Sequence, residues 1–117
     1  MIWTLTQVAI GGAIGSALRF VVVAFFGAPL AVLAVNVVGS LVMGIAFVML
    51  SARLSPLLMT GVLGGFTTFS AFSLETFNMI NRGEIGLAAA YAVSSVAGSV
   101  LALMTGVYLA TKILGRI

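Results

Sequence analysis

Three short breaks divide this chain into four apolar runs, and each run is long enough to cross a lipid bilayer. The runs cover about residues 2–26, 30–52, 57–80 and 85–113. Roughly 20 apolar residues in an α-helix span ~30 Å of hydrocarbon, so each run predicts one membrane-crossing helix. The breaks carry turn chemistry. Gly27-Ala28-Pro29 places a proline where it can open the second helix. Arg53-Leu54-Ser55-Pro56 ends in a proline suited to a first helical turn, and Asn81-Arg82-Gly83-Glu84 is the clearest turn in the chain. Short connections imply antiparallel neighbours. The expected fold is therefore an all-α membrane protein: one domain over 1–117, built as an up-and-down bundle of four transmembrane helices.

Composition excludes the main alternatives. The chain is 62% hydrophobic and 6% charged, where soluble domains average about 25% charged residues. A chain of this size has no interior large enough to hide that much apolar surface, so the bilayer takes the place of a core. There is no cysteine and no histidine, and there are only two carboxylates. That rules against disulfide frameworks, metal hydrolases and acid–base enzymes. The net charge of +3 does not indicate a nucleic-acid partner, because five cations scattered along the chain make no patch. No Lys or Arg precedes the first apolar run, so it is expected to be a retained span rather than a signal peptide.

The cations bear on topology. With four spans, Arg53, Lys112 and Arg116 share one side of the membrane. Arg82 takes the other, joined by Arg19 if it snorkels outward. Three against two selects no orientation strongly. Either the chain inserts both ways, which permits an antiparallel homodimer, or it carries a modest bias with both termini in the cytoplasm. Charge alone leaves both open.

The third span contains the weakest helix material. Gly64-Gly65-Phe66-Thr67-Thr68-Phe69-Ser70-Ala71-Phe72-Ser73 sets two glycines and two threonines at mid-span. A carbonyl freed there has no water to turn to and must meet protein, a cavity or an ion. The run is thus a candidate ion site. Phe69 and Phe72 follow, three residues apart and so on one helical face. An aromatic ring has a positive edge that can favour an anion without gripping it; the plain alternative is a ring facing lipid or core.

Few other polar groups lie deep in the spans. Asn36 can donate two hydrogen bonds to an anion or serve as interhelical glue. Tyr91, Ser95 and Ser99 recur every four residues and form one stripe, whose hydroxyls either face an ion path or bond to carbonyls of their own helix. Arg19 either snorkels, attracts anions to a pore mouth or pairs with a backbone carbonyl. Glu75 shares a face with Asn78 and Arg82 and reads as an ion pair or interface anchor. Gly11, Gly12, Gly15, Gly39, Gly44 and the Gly98/Ala102/Gly106 stripe read as close helix contacts.

Taken together, the 64–73 run, Gly15-Ser16-Ala17-Leu18-Arg19, Asn36-Val37-Val38-Gly39 and the Tyr91/Ser95/Ser99 stripe resemble the CrcB/Fluc family of small bacterial fluoride channels. The resemblance covers nearly the whole chain. It implies an antiparallel, dual-topology homodimer in the bacterial inner membrane, with two fluoride pathways and passive fluoride efflux. It implies a third helix broken at mid-span, whose backbone carbonyls from both subunits hold a structural sodium ion that is not transported. By motif position those carbonyls belong to Gly64 and Thr67. The fluoride path is carried over onto Asn36, Phe69, Phe72, Tyr91, Ser95 and Ser99, with Ser70 and Ser73 as neighbours. Arg19 and Glu75 match charged family positions at a pore mouth or in the structure. Val32, one turn before Asn36, has no hydroxyl where some relatives carry one.

Two other classes compete. A small multidrug-type transporter shares the size and the four spans but needs a membrane-buried carboxylate in span one, and span one has no acidic residue. A membrane assembly factor would use the glycine and serine stripes for packing alone.

Overall fold

The computed structural model describes residues 1–114; Arg116, counted above with the cations of one side, lies outside them. Within them, α1 (Ile2–Phe26) and α2 (Leu30–Met49) are followed by a π-helical stretch, Pro56–Leu63. A short α3 (Gly64–Phe66), then α4 (Phe69–Asn81) and α5 (Ile85–Leu114) complete the chain. Four segments are long and apolar enough to cross a membrane: Ile2–Phe26, Leu30–Met49, Pro56–Asn81 and Ile85–Leu114. Large apolar side chains such as Phe20, Phe25, Phe26 and Phe47 point outward. Outward-facing rings of this kind suit lipid as the surrounding solvent.

The turns form for local reasons. Gly27 ends α1 at φ +81°, a backbone state that costs glycine little. At the end of α4, Gly83 takes φ +80°. Its N–H donates to the Ile80 carbonyl, and the Glu84 N–H donates to Met79. Together these make a Schellman close, which satisfies carbonyls that the helix end would otherwise orphan. The second helix stops at Met49, short of the expected Ala52, because Leu50 already has an extended backbone.

The span expected over 57–80 is not one uniform α-helix. Its first part is wound wider, and the Gly64 N–H reaches back to the Met59 carbonyl, five residues away. π-Helical turns are rare and are frequently found at functional sites.

Packing divides the protomer into two helix pairs. On α1 the buried residues are Gln7, Gly11 and Gly15, one seam at four-residue spacing. That seam meets Gly61 and Gly65. A Cβ on Gly15 would strike the Val62 carbonyl and lie 2.8 Å from the Phe66 nitrogen; one on Gly65 would lie 2.7 Å from the Gly12 carbonyl oxygen. The two backbones touch, as small residues allow in membrane helices. The second pair is α2 with α5. Gly44 sits against Leu103 and Val107, and Gly106 sits against Leu41 and Ile45. Both sequences rise together through this contact, so α2 and α5 run in parallel. A buried cluster of Val32, Phe72, Met79, Ala88 and Tyr91 ties α4 to the α2–α5 pair.

Candidate functional site

The site begins where α3 fails to continue into α4. Thr67 (φ −85°, ψ 155°) and Thr68 (φ −152°, ψ 120°) have extended backbone, and the helix resumes at Phe69. Extension removes the donors that a continuous helix would send to the carbonyls four residues back. The Thr68 N–H, which would have gone to Gly64, donates instead to Asn36 Oδ1 at 2.7 Å. The Ala71 N–H, which would have gone to Thr67, donates to the Thr68 hydroxyl at 3.1 Å and caps α4. The Gly65 carbonyl receives a substitute, the Arg19 Nε–H at 3.1 Å. The Gly64 and Thr67 carbonyls thus lose their helical donors, and Gly65 between them is filled by Arg19.

Asn36 holds this interruption from α2. Its Nδ2 donates to the Thr68 carbonyl at 3.0 Å, while its Oδ1 accepts the Thr68 N–H. One side-chain amide thus pairs with both backbone polar groups of one residue. That leaves one Asn36 N–H and one acceptor site on Oδ1 for anything else.

Beside the interruption lies an open groove of about 290 Å³. From α2 it is lined by Asn36 and Ser40. Thr67, Thr68, Phe69 and Phe72 line it from the third span, and Ser95, Val96, Ser99 and Val100 from α5. Among the described residues, no charged side chain lines it. Its polar surface consists of an amide and hydroxyls, groups that can donate to an anion without the grip of a fixed cation. The Ser95 hydroxyl is buried and has no hydrogen-bond partner among the described residues, and the same is true of the Tyr91 hydroxyl. Unpaired buried donors are uncommon, and each calls for an explanation.

The aromatic pair divides by exposure. Phe72 is buried, with its ring centroid 5.3 Å from Phe69 and 5.5 Å from Tyr91. Phe69 is 74% exposed and stands at the groove's open edge.

Residues 6–107 match the model of a family described as CrcB-like protein, Camphor Resistance (CrcB). The chain belongs to that CrcB family. Among curated relatives, the fluoride-specific ion channel FluC of Cereibacter sphaeroides is 49% identical over 115 residues, covering 91% of this chain and 93% of its own. The protein of the same name from Roseobacter denitrificans is 48% identical over 119 residues. That from Ruegeria sp. is 46% identical over 126 residues, covering 97% of this chain and 99% of its own.

In this CrcB protein, the groove gathers some of the residues named from sequence and leaves others out. Asn36, Phe69, Phe72, Ser95 and Ser99 share it. Ser70, Ser73 and Tyr91 do not line it. The Ser73 hydroxyl donates to the Phe69 carbonyl on its own helix, Ser70 pairs with the Thr68 hydroxyl, and Tyr91 packs on Phe72. Arg19 lies away from the groove and takes the third of its sequence readings, a backbone carbonyl partner. Glu75 is half-buried and lines no groove wall. The cation expected to share its face, Arg82, pairs instead with Glu84 at 2.6 Å on the surface.

Sequence reasoning passed over two participants in the groove and one contact outside it. Ser40 lies one turn past Asn36 on the same face, a spacing that was open to notice. Thr68 caps α4 with a Thr at a helix start, another legible signal. Gln7 is buried and donates to the Arg53 carbonyl at 3.2 Å, a contact between residues 46 apart that no local pattern announces.

Proposed function

We propose that this chain is the subunit of a fluoride-selective ion channel that works as an antiparallel, dual-topology homodimer in the inner membrane and lets fluoride leave the cell passively. The carrying observation is the groove, where Asn36, an unpaired Ser95 hydroxyl and the Phe69 and Phe72 rings meet beside an interrupted membrane helix. The relatives named above are called fluoride-specific channels, and the chain spans nearly all of their length.

Fluoride is small and strongly hydrated, so a path through hydrocarbon must replace water with donors. The Asn36 N–H that Thr68 does not use and the serine hydroxyls of α5 supply them. The ring edges of Phe69 and Phe72 add a weak attraction, which suits conduction because the ion must also leave. Phe69 is exposed in a single subunit, so a second copy is what would complete the wall on that side.

The kink suits a sodium ion. Hard cations take oxygen ligands, and the Gly64 and Thr67 carbonyls have lost their helical donors. These two, with the same pair from a second copy, would hold the ion. Bound there, sodium supplies fixed positive charge that offsets part of the cost of an anion at mid-membrane. Arg19 keeps the Gly65 carbonyl out of that set.

Reconstitution in liposomes with a fluoride electrode tests the proposal. The expected result is a passive fluoride leak with no chloride leak, cut sharply by Phe69→Ile. Phe69 is largely outside the protomer core, so this substitution separates conduction from folding. Proton-coupled uptake of an organic cation, or no flux of any kind from correctly inserted protein, would overturn it.

A further inference from the structure

We infer that Ser40 extends the anion path beyond Ser99, as a donor contributed by α2; this rests on the channel reading above. Ser40 is half-buried and lines the same groove as Asn36, Ser95 and Ser99. Six serine and threonine hydroxyls of this protein are spent on their own backbone. Those of Thr6, Ser55, Thr67, Ser73, Thr76 and Thr105 each donate to the carbonyl four residues back. The Ser40 hydroxyl, free to make the same bond to Asn36, makes none among the described residues. It stands in the groove with the buried, unpartnered Ser95 hydroxyl, which is 5% exposed.

The helix crossing sets the order of these donors. Gly98 faces Val37, and Gly106 faces Leu41 and Ile45. With α2 and α5 parallel, the groove donors interleave as Ser95, Asn36, Ser99 and then Ser40. Ser40 follows Asn36 by one turn, about 6 Å of rise, and lies on the far side of Ser99. An ion leaving Ser99 in that direction meets Ser40 before it loses polar contact with the wall. Val96 and Val100 give the groove no other donor at that level.

The chain has no native cysteine, so Ser40→Cys carries the only thiol. In reconstituted protein, a small cationic methanethiosulfonate reagent should modify that thiol from water, block fluoride flux, and be slowed by fluoride but not by chloride. Ser40→Ala should lower fluoride flux about tenfold, the effect of one lost hydrogen bond to an ion, with an unchanged unfolding midpoint. If the unsubstituted protein conducts while Ser40→Ala matches it and the thiol is inert, the Ser40 inference fails and the channel reading stands. A silent unsubstituted protein sinks both. Should Ser40→Ala fail to assemble, protection of the near-isosteric Ser40→Cys by fluoride decides.

Discussion

Removing the Asn36 side chain asks whether the interruption in the third span is held open from α2. Asn36→Ala deletes the bonds of 2.7 and 3.0 Å to the two polar groups of Thr68. Thr68 is half-buried in an apolar span, where water is a poor substitute. An unsatisfied group costs about 1–3 kcal/mol, although hydrogen bonds measured between membrane helices average nearer ~0.6 kcal/mol. Two bonds then place the loss at about 1–6 kcal/mol. A central value of ~2 kcal/mol is a roughly thirtyfold shift away from the clamped kink. Asn36→Asp separates the parts. It keeps an acceptor for the Thr68 N–H but sets a carboxylate oxygen against the Thr68 carbonyl and adds negative charge to an anion's groove. The Ala variant should lose both unfolding midpoint in mild detergent and fluoride flux in liposomes. The Asp variant should lose flux more completely than stability. An Ala variant with the unsubstituted protein's midpoint and flux would refute the clamp.

Three further outcomes follow from the same geometry. Gly15→Ala drives a methyl group into the Val62 carbonyl and should prevent a monodisperse fold by size exclusion, whereas Gly12→Ala, with nothing within 4 Å of its Cβ, should be tolerated. Arg19→Met leaves the Gly65 carbonyl without its donor and should lower the unfolding midpoint by the equivalent of about 1–3 kcal/mol; Arg19→Lys, which keeps a donor and the charge, should lose less, and equal midpoints would remove Arg19 from the kink. Prolonged exchange of sodium for a bulky organic cation should reduce fluoride flux, and indifference to the exchange would count against a cation at Gly64 and Thr67.

The helices were legible because hydropathy and turn residues act locally. Ile2–Phe26 needs nothing but its own apolar length and Gly27 to end it. The glycine seams were half legible. Gly11, Gly15, Gly44 and Gly106 read as contacts, but Gly65 read only as weak helix, and its partner surface lies 50 residues away on α1. The site shows the same limit. Asn36 reads alone as either glue or ion donor, and only its meeting with Thr68, 32 residues on, shows that half of its bonding capacity is already engaged. The polar stripe of the last helix was legible as a spacing alone. Tyr91 has the right spacing, but its ring fills the core against Phe72, and spacing does not reveal which members of a stripe a neighbouring helix covers.

The seating of α1 on the third span has a consequence for regulation. At the glycine contacts, where Gly11 meets Gly61 and Gly65 meets Gly12, main chain rests directly on main chain and leaves no room between them for a rotamer that could store a second arrangement. The wall beside the groove is thus built without a moving part on that side. In the channel proposed above, control over passage would come from elsewhere in the molecule, or from how many copies a cell inserts.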